Sequence, residues 1–364
     1  MIILHDPDTL AHETEELLGS RLIPALESPE RIREIVSKLS DSKHTLRYVK
    51  SPGADSPDLK TLLQLLLTAH GNDYLEHLKS AFQQWREEGL IEEDGSILPE
   101  CFLVPNKSGT RTQPPKDIFA QAGYFAFDMS SGIMKNTYTS ILASANLAVQ
   151  AVDVLHPGGT IKDVLALCRP PGHHCDGRHA GGYCYVNNVA VAVSAWRKHS
   201  PDVRVGILDI DFHHGNGTQD IFYSDPNVFY TSIHGEDEFP YYTGSTDETG
   251  EGKAIGANLN LPLKTGSSFE MYLEKLEVAL SALVKFQAEF LVLSLGFDTF
   301  RLDPLGSFQI ATADYEVLAR WVRKTIASIP AVILLEGGYS IEHLGDNVLS
   351  FLKGWESAAT LRLK

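Results

Sequence analysis

The sequence predicts an α/β protein of one domain, with a mainly parallel β-sheet and helices on both of its faces. Short apolar runs of strand length alternate along the chain with longer runs of helical period. Acids and histidines follow directly after several of these strands, at the end where α/β proteins bind their ligands. The 364 residues, 43% of them hydrophobic, are enough for one large core.

Five strands and four helices can be assigned along the chain. The strands are short runs rich in Val, Ile and Leu, and a Pro-Pro-Gly turn follows the first of them. The helices are longer runs with apolar residues at helical spacing. In chain order, the predicted strands are residues 163–167, 205–208, 228–233, 290–294 and 332–335. The predicted helices are residues 140–154, 188–198, 269–286 and 313–326.

The segment after the second strand carries four ionisable residues, Asp209, Asp211, His213 and His214. Strand alternation would put Asp209, Asp211 and His213 on one face, which is costly unless a cation compensates their charge. Asp298 follows the fourth strand, where a turn-forming or capping role is an equally open interpretation. Together, Asp211, His213 and Asp298 offer two carboxylates and one imidazole. Such a set leaves a coordination position open for water, as catalytic rather than structural zinc sites do.

Two further strand ends carry side chains suited to catalysis. His173 and His174 follow the Pro-Pro-Gly turn, and histidine has the side-chain pKa nearest to neutral pH, so the pair is suited to carry protons beside a metal centre. Tyr339 follows two glycines after the last strand, and the glycines allow the close backbone approach that would bring its hydroxyl to an oxyanion. The alternative for His173 and His174 is that they are loop residues without a catalytic role. The alternative for Tyr339 is that it is an ordinary core or surface residue.

Together these segments resemble the arginase/deacetylase-fold amidohydrolases, the group that contains the zinc-dependent histone deacetylases and the acetylpolyamine amidohydrolases. The resemblance runs from about residue 4 to about residue 355. Two runs, Ser232-Ile-His-Gly235 and Asp247-Glu-Thr-Gly250, look most like the acetylpolyamine amidohydrolase branch. The most specific motifs are Arg169-Pro-Pro-Gly-His-His174, Gly181-Gly-Tyr-Cys-Tyr-Val-Asn-Asn188, Asp209-Ile-Asp-Phe-His-His-Gly-Asn-Gly-Thr-Gln-Asp220 and Glu336-Gly-Gly-Tyr339.

The resemblance implies a role for each residue at the strand ends. It makes His173 and His174 the tandem catalytic histidines and Tyr339 the tyrosine that stabilises the transition state. Asp209 would stand behind His173. Asn216 would stand behind His174, where some members carry an Asp, and would leave that histidine less basic than an Asp would.

The resemblance also implies metal sites. Asp211, His213 and Asp298 match the ligands of one zinc ion per chain. Potassium would be bound mostly by backbone oxygens, at an inner site and at a second, outer candidate site. The inner site would use Asp209, Asp211, His213, Ser232 and Ile233, and the outer one would use Phe222, Asp225 and Val228.

A substrate channel is the remaining implication. Tyr183 and Phe239 match the aromatic walls of an acyl-lysine channel, with Gly182 beside them. One position departs from the bacterial polyamine enzymes, in which we expect an acidic residue where this chain has Phe119. A carboxylate there would attract the distal ammonium group of a polyamine, and three acids near the expected channel mouth are candidates to replace it. They are Glu236, Asp237 and Glu238.

Composition narrows the classes of partner. The chain has 47 acidic and 31 basic residues and a formal net charge of −16, which argues against nucleic-acid binding and is compatible with cationic substrates. Its four cysteines show no Cys-x-x-Cys spacing, so we expect no disulfide framework. We find no secretory signal and no apolar run that would span a bilayer, and therefore expect a cytoplasmic protein without membrane contact.

The stretch from residue 87 to residue 116 is rich in Gly and Pro and is expected to be an irregular insertion in a single deacetylase domain spanning residues 1–364. In the resembling bacterial enzymes, an insertion in this region builds a dimer and narrows the partner's active site, so we expect a homodimer. From composition alone, a surface loop without such a role is an equal alternative.

The sequence therefore predicts a zinc amidohydrolase that removes acetyl from a primary amine, with acetylpolyamine as the preferred substrate. The alternative within the family is a protein acetyl-lysine deacetylase. Two rivals belong to other classes: a ureohydrolase with two manganese ions, and a catalytically silent module that binds acetylated lysine. The ureohydrolase would need ligands for a second metal ion, and this sequence lacks them. The binding module would not need the complete set of catalytic residues that this chain carries.

Overall fold

The computed structural model describes residues 1–103, 113–155, 161–327 and 329–360. Within these ranges the chain forms the following helices and strands. The strands are β1 (Ile2–His5), β2 (Glu15–Leu18), β3 (Arg21–Pro24), β4 (Thr45–Tyr48), β5 (Asp163–Ala166), β6 (Val205–Asp209), β7 (Val228–Gly235), β8 (Asn258–Leu263), β9 (Phe290–Leu295) and β10 (Ala331–Leu335). The helices are α1 (Pro29–Ser40), α2 (Pro57–Ala69), α3 (Asn72–Glu87), α4 (Ile118–Tyr124), α5 (Thr137–Leu155), α6 (Asn188–Arg197), α7 (Asn216–Phe222), α8 (Phe269–Phe286), α9 (Thr312–Thr325) and α10 (Ile341–Thr360).

Eight strands form one sheet in the order β4-β1-β5-β10-β9-β6-β7-β8, and every neighbouring pair is parallel. β2 and β3 form a separate antiparallel hairpin. Parallel pairing aligns the carboxyl ends of all eight strands at one edge of the sheet. The carboxyl ends of β5, β10, β9 and β6 therefore lie side by side near its centre.

The core lies on both faces of this sheet. Val332 and Leu334 of β10 pack in one apolar cluster with residues of α2, α3, α5 and α6. Ile333 and Leu335 of the same strand pack in a second cluster with residues of α1, α8, α9 and α10. Successive side chains of a strand point to opposite faces, so a strand covered on both sides reads as a continuous apolar run. The predicted fold class, one α/β domain with helices on both faces of a parallel sheet, is confirmed.

All nine elements assigned from the sequence are present, with ends that differ by a few residues at most. The helix predicted at residues 269–286 coincides with α8, and the strand predicted at 228–233 extends to Gly235 as β7. Among the described residues, the sequence assignment missed β1, β4 and β8 of the main sheet, the β2–β3 hairpin, and six helices. The missed helices are α1, α2, α3, α4, α7 and α10.

Helix α5 qualifies the expectation that no segment could span a bilayer. Of the helices in the described ranges, it is the one long and apolar enough to cross a membrane by length and composition. Most of it, however, is buried inside the fold, with 61% of its most apolar window enclosed. A core helix of an α/β protein has the same properties.

The Gly- and Pro-rich stretch between α3 and α4 lies partly outside the described residues, which omit 104–112. In residues 88–103 and 113–116, the backbone forms no helix or strand, and one isolated bridge joins Ile97 to Ile133. The Ile97 amide donates to the Ile133 carbonyl at 2.9 Å, so this part of the stretch is tied to the domain.

Candidate active site

The loops that follow the four central strands carry the residues singled out in the sequence. His173 and His174 follow β5, Tyr339 follows β10, Asp298 follows β9, and Asp211 and His213 follow β6. Because these strands are adjacent, residues that are far apart in the sequence converge at one edge of the sheet.

Three of them form a compact group of ligand atoms. One oxygen or nitrogen from each of Asp211, His213 and Asp298 lies within 4.8 Å of the others. His213 Nδ1 is 3.1 Å from Asp298 Oδ2 and 3.3 Å from Asp211 Oδ1. The two aspartates are buried almost completely and His213 is largely buried.

The route by which Asp211 and His213 reach this position differs from the sequence prediction. β6 ends at Asp209, so strand alternation does not align the three side chains, and that expectation was wrong. Hydrogen bonds shape the segment instead. Asp209 Oδ1 accepts from the Asp211 amide at 3.2 Å, and Asp298 Oδ1 accepts from the Phe212 amide at 2.8 Å. Asp211 Oδ1 accepts from the amide of His213 at 2.9 Å.

Two glycines make room for the metal-site acids. A β-carbon on Gly296 would lie 2.1 Å from Asp211 Oδ2, and one on Gly337 would lie 2.2 Å from Asp298 Oδ2. The Gly337 amide also donates to Asp211 Oδ2 at 2.8 Å. The turn after β10 therefore closes directly over the carboxylates, which only a residue without a side chain allows.

The electrostatics of this group favour a cation. Burial and the neighbouring charge of Asp211 raise the pKa of Asp298. Burial by itself lowers the pKa of His213, but hydrogen bonds to Asp211 and Asp298 raise it. Buried acids packed this closely repel one another, and a divalent cation would relieve the repulsion. Two carboxylates and one imidazole with an open position suit zinc, so the residues present fit that ion.

His173 and His174 lie beside each other, with ring centroids 4.0 Å apart. They have unlike partners. His173 Nδ1 is 3.1 Å from Asp209 Oδ2, and His174 Nδ1 is 2.8 Å from Asn216 Oδ1. An oxygen accepts in both bonds, so each Nδ1 donates and each Nε2 remains available. Burial lowers the pKa of His173, but Asp211 and Asp209 outweigh it and raise that pKa to about 10. Burial and the neighbouring histidines lower the pKa of His174.

Glu336 fixes the turn that carries these histidines. Its Oε2 accepts from the Gly172 amide at 2.7 Å and from the His173 amide at 3.2 Å. Its Oε1 accepts from the Ser294 hydroxyl at 3.0 Å. Burial raises the pKa of Glu336 to about 7. One side chain after β10 thus ties the β5 loop to β9.

Tyr339 is held by residues that sequence reasoning missed. Its amide donates to Asp303 Oδ2 at 2.6 Å, and the Arg31 guanidinium lies 4.9 Å from its ring centroid. Arg31 Nε donates to the Gly338 carbonyl at 2.7 Å, and Glu27 binds the same guanidinium at 2.7 Å. None of these residues belongs to a motif that the sequence analysis singled out. Arg31 stands among charged neighbours in the sequence, and its complete burial becomes recognisable only once the fold is known.

The expected channel residues lie next to the catalytic groups. The ring of Phe239 is 5.0 Å from that of His174, and the ring of Tyr183 is 5.7 Å from that of Tyr339. A β-carbon on Gly182 would lie 2.3 Å from the His174 ring and 3.0 Å from the Phe239 ring. Phe127, which the sequence analysis did not single out, stacks on Phe239 at 6.1 Å. Aromatic surfaces therefore enclose the approach to the histidines.

The acids considered as replacements for a carboxylate at Phe119 divide into two groups. Phe119 itself lies on α4 and packs against Trp85, with ring centroids 4.7 Å apart. Glu236 and Asp237 are exposed and line a surface cavity of about 260 Å³ next to the Phe239 loop. Glu238 accepts from the Thr265 hydroxyl at 3.1 Å and does not line that cavity.

The residues named for potassium lie in two parts of the fold, and potassium binding at either of them stays a prediction. Asp209 of β6 pairs with Ser232 of β7 in the sheet, and Ile233 follows Ser232. The second set forms one turn after α7. The Asp225 amide donates to the Phe222 carbonyl at 3.0 Å, and the Val228 amide donates to the Asp225 carbonyl at 3.1 Å.

Comparisons with known proteins agree with this geometry. The histone deacetylase domain family matches residues 25–355. Acetylpolyamine amidohydrolase 2 of Pseudomonas aeruginosa is 34% identical over 358 residues, which are 98% of this chain and 98% of that protein. The histone deacetylase-like amidohydrolase of the same organism is 32% identical over 84% of this chain and 78% of its own length.

A solved structure shows the same architecture. The crystal structure of acetylpolyamine aminohydrolase from Burkholderia pseudomallei superposes with a TM-score of 0.87 at 32% identity, over 98% of this chain and 99% of that one. The family and these relatives are deacetylases and amidohydrolases. By sequence match and by fold, this chain belongs to the histone deacetylase family.

Proposed function

We propose that this protein is a zinc-dependent amidohydrolase that removes the acetyl group from an acetylated primary amine, with acetylpolyamines as its best substrates. The observation that carries the proposal is the convergence, beside aromatic walls, of one group of metal-ligating side chains with two histidines and a tyrosine. Each of these groups has a task in amide hydrolysis.

A zinc ion held by Asp211, His213 and Asp298 would polarise the amide carbonyl and lower the pKa of a water molecule. The two histidines move the protons. Their Nδ1 atoms are engaged by Asp209 and Asn216, so their Nε2 atoms face the reaction. One imidazole takes a proton from water, and one protonates the leaving amine.

Tyr339 supports the charge that develops on the amide oxygen. Its backbone is fixed by Asp303 and its ring by Arg31, so the hydroxyl is positioned before the substrate arrives. A prepositioned donor of this kind stabilises an oxyanion without reorganisation during the reaction. Tyr183 and Phe239 contact the methylene chain of the substrate through their rings.

Charge supports a cationic substrate. The chain carries a formal net charge of −16, and the exposed Glu236 and Asp237 lie beside the Phe239 loop. Relatives at 32% to 34% identity over nearly the whole chain are named for acetylpolyamines. The second candidate, a protein acetyl-lysine deacetylase, is supported by the histone deacetylase-like relative, which matches over a smaller share of both chains.

Rivals from other classes have less support. Within the described residues, one group of three His, Cys, Asp or Glu side chains is close enough to share a metal ion, which favours one zinc over a pair of manganese ions. A binding module without turnover would not require the two supported histidines and the fixed tyrosine.

The test is a substrate panel for the wild-type protein. N-acetylputrescine, N-acetylcadaverine, N8-acetylspermidine and acetyl-lysine peptides are compared by kcat/KM. We expect the acetylated diamines and polyamines to be hydrolysed best. Peptides as the best substrates would replace this proposal by the protein deacetylase, and no turnover of any acetyl amide would favour the binding module.

We further propose that potassium binds at the two groups described above, and that the protein is a homodimer built through the stretch 87–116. We also propose a cytoplasmic location, because the four cysteines are all free, which suits a reducing compartment. Sedimentation of the wild-type protein and of a variant trimmed within 87–116 tests the dimer. Equal mass for both proteins would remove that stretch from the interface.

A further inference from the structure

The hairpin formed by β2 and β3 reaches the wall of the substrate channel through one side chain. The hydroxyl of Tyr183 donates to Glu16 Oε2 at 2.9 Å. Glu16 is partly buried, whereas its neighbours on the hairpin, Leu17 and Leu18, are exposed. Glu16 therefore lies between the exposed part of the hairpin and the aromatic side chain of Tyr183.

A second carboxylate holds the adjacent wall residue. Asp128 Oδ2 accepts from the amide of Gly182 at 2.8 Å. Two consecutive residues of the wall are thus each bonded to an acid, although Glu16 and Asp128 come from distant parts of the chain. The charge of Asp128 also contributes to raising the pKa of Glu16, behind the larger effect of burial, so the two carboxylates are close enough to interact.

These acids have no basic partner in the part of the chain that the structure describes. Glu16 bonds to the hydroxyl of Tyr183 and to the backbone at Leu26. Asp128 bonds to the amide of Gly182 and to the amide and hydroxyl of Ser130. A partly buried carboxylate without a cation is unfavourable, and a positive charge that enters the channel mouth would compensate it.

The order of groups along the wall fits a particular ligand. Tyr339 lies at the reacting end, Tyr183 is next to it at 5.7 Å between ring centroids, and Glu16 is bonded to the Tyr183 hydroxyl. We propose that Glu16 is a specificity-determining residue that recognises the first ammonium group of an acetylated diamine or polyamine where its alkyl chain leaves the aromatic walls. Asp128 adds to the negative potential at that point. The inference rests on the proposed function and names the residue that selects the charged substrate.

The experiment compares two substrates of equal shape. N-acetylputrescine and N-pentylacetamide differ in that a terminal methyl replaces the ammonium group. The selectivity is the ratio of their kcat/KM values. Glu16→Gln keeps an oxygen that accepts from Tyr183 and removes the charge. We expect it to lower the ratio on the order of tenfold, about 1.4 kcal/mol.

Two control variants test whether a change in the selectivity ratio comes from the charge of Glu16. Glu15→Gln makes the same charge change one residue earlier on β2, where strand alternation points the side chain to the other face, and should leave the ratio within about twofold. Tyr183→Phe removes the hydroxyl but keeps the Glu16 charge. We expect this variant to retain a ratio well above that of Glu16→Gln.

The outcomes separate this inference from the proposed function. A wild-type preference for the diamine that persists in Glu16→Gln overturns the role of Glu16 and leaves the function intact. Equal losses for both substrates in Glu16→Gln and Tyr183→Phe reduce Glu16 to a support for the tyrosine ring. A wild-type ratio near one overturns the cationic substrate itself.

Discussion

Gly337 offers a direct test of how closely the turn after β10 packs on the metal-site acids. Its φ is not in the left-handed region, so alanine is compatible with the backbone there. The added methyl group would lie 2.2 Å from Asp298 Oδ2 and 2.7 Å from Asp211 Oδ2. Contacts of a β-carbon below 3.0 Å are essentially never found, so the acids and the turn must separate by about 0.8 Å.

That displacement exceeds what a zinc site tolerates. Zinc–oxygen distances fall within roughly 2.0–2.2 Å, and both carboxylates would have to move. Changes outside the ligand shell alone cost about 10- to 100-fold in metal affinity, so we expect Gly337→Ala to weaken zinc binding by at least about 100-fold. Activity should fall in parallel with zinc content.

The assay measures zinc per chain after dialysis against buffered free zinc, followed by kcat/KM for N-acetylputrescine and by thermal unfolding. Gly53→Ala is the matched control, because a β-carbon at Gly53 would meet no atom within 4 Å. It should match the wild type in all three measurements. A Gly337→Ala protein with full zinc and wild-type turnover would refute the packing argument.

Three other predictions concern single side chains. Asp298→Ala should lose zinc and activity together because it removes a charged ligand, and full zinc occupancy would exclude Asp298 from the site. Tyr339→Phe should keep zinc and the fold while kcat falls on the order of 100-fold, as for a lost oxyanion donor, and unchanged turnover would make Tyr339 structural. Burial lowers the pKa of His70 to about 4. This histidine donates to the Asp176 carbonyl and accepts from the Asn187 amide. The neutral imidazole therefore stabilises the folded protein fully above pH 6.5, and up to about 3 kcal/mol of the free energy of unfolding is lost as the pH falls toward 4. His70→Asn should flatten the dependence of the urea midpoint on pH in that range. The same dependence of the urea midpoint on pH in both proteins would contradict this.

The sequence predicted the centre of the sheet better than its edges. β6, β9 and β10 are almost entirely apolar, and β5 and most of β7 are apolar or aromatic, because strands covered on both faces need few polar positions. β4 and β8 are the two edge strands. β4 reads Thr-Leu-Arg-Tyr, and three of its four residues are exposed. β8 contains Pro262, which an edge strand tolerates but which argues against a strand when the sequence alone is considered.

The candidate site was also predicted in part, because some of its residues follow recognisable strands and others do not. Asp211, His213 and Asp298 were recognised because each follows an apolar strand, and parallel strands end at one edge. Arg31 and Asp303 were missed because neither belongs to a motif. Arg31 lies 307 residues from the carbonyl of Gly338 to which it donates. Only the fold brings residues so distant in sequence together, so local sequence patterns do not reveal them.

The most direct test of the central claim is a metal titration of activity. Protein stripped with a chelator should be inactive toward N-acetylputrescine and should regain turnover in proportion to added zinc, with saturation at one zinc ion per chain. The same titration of Asp298→Ala should restore nothing. Full turnover in the stripped protein, or saturation only at two ions per chain, would contradict a single zinc centre formed by Asp211, His213 and Asp298.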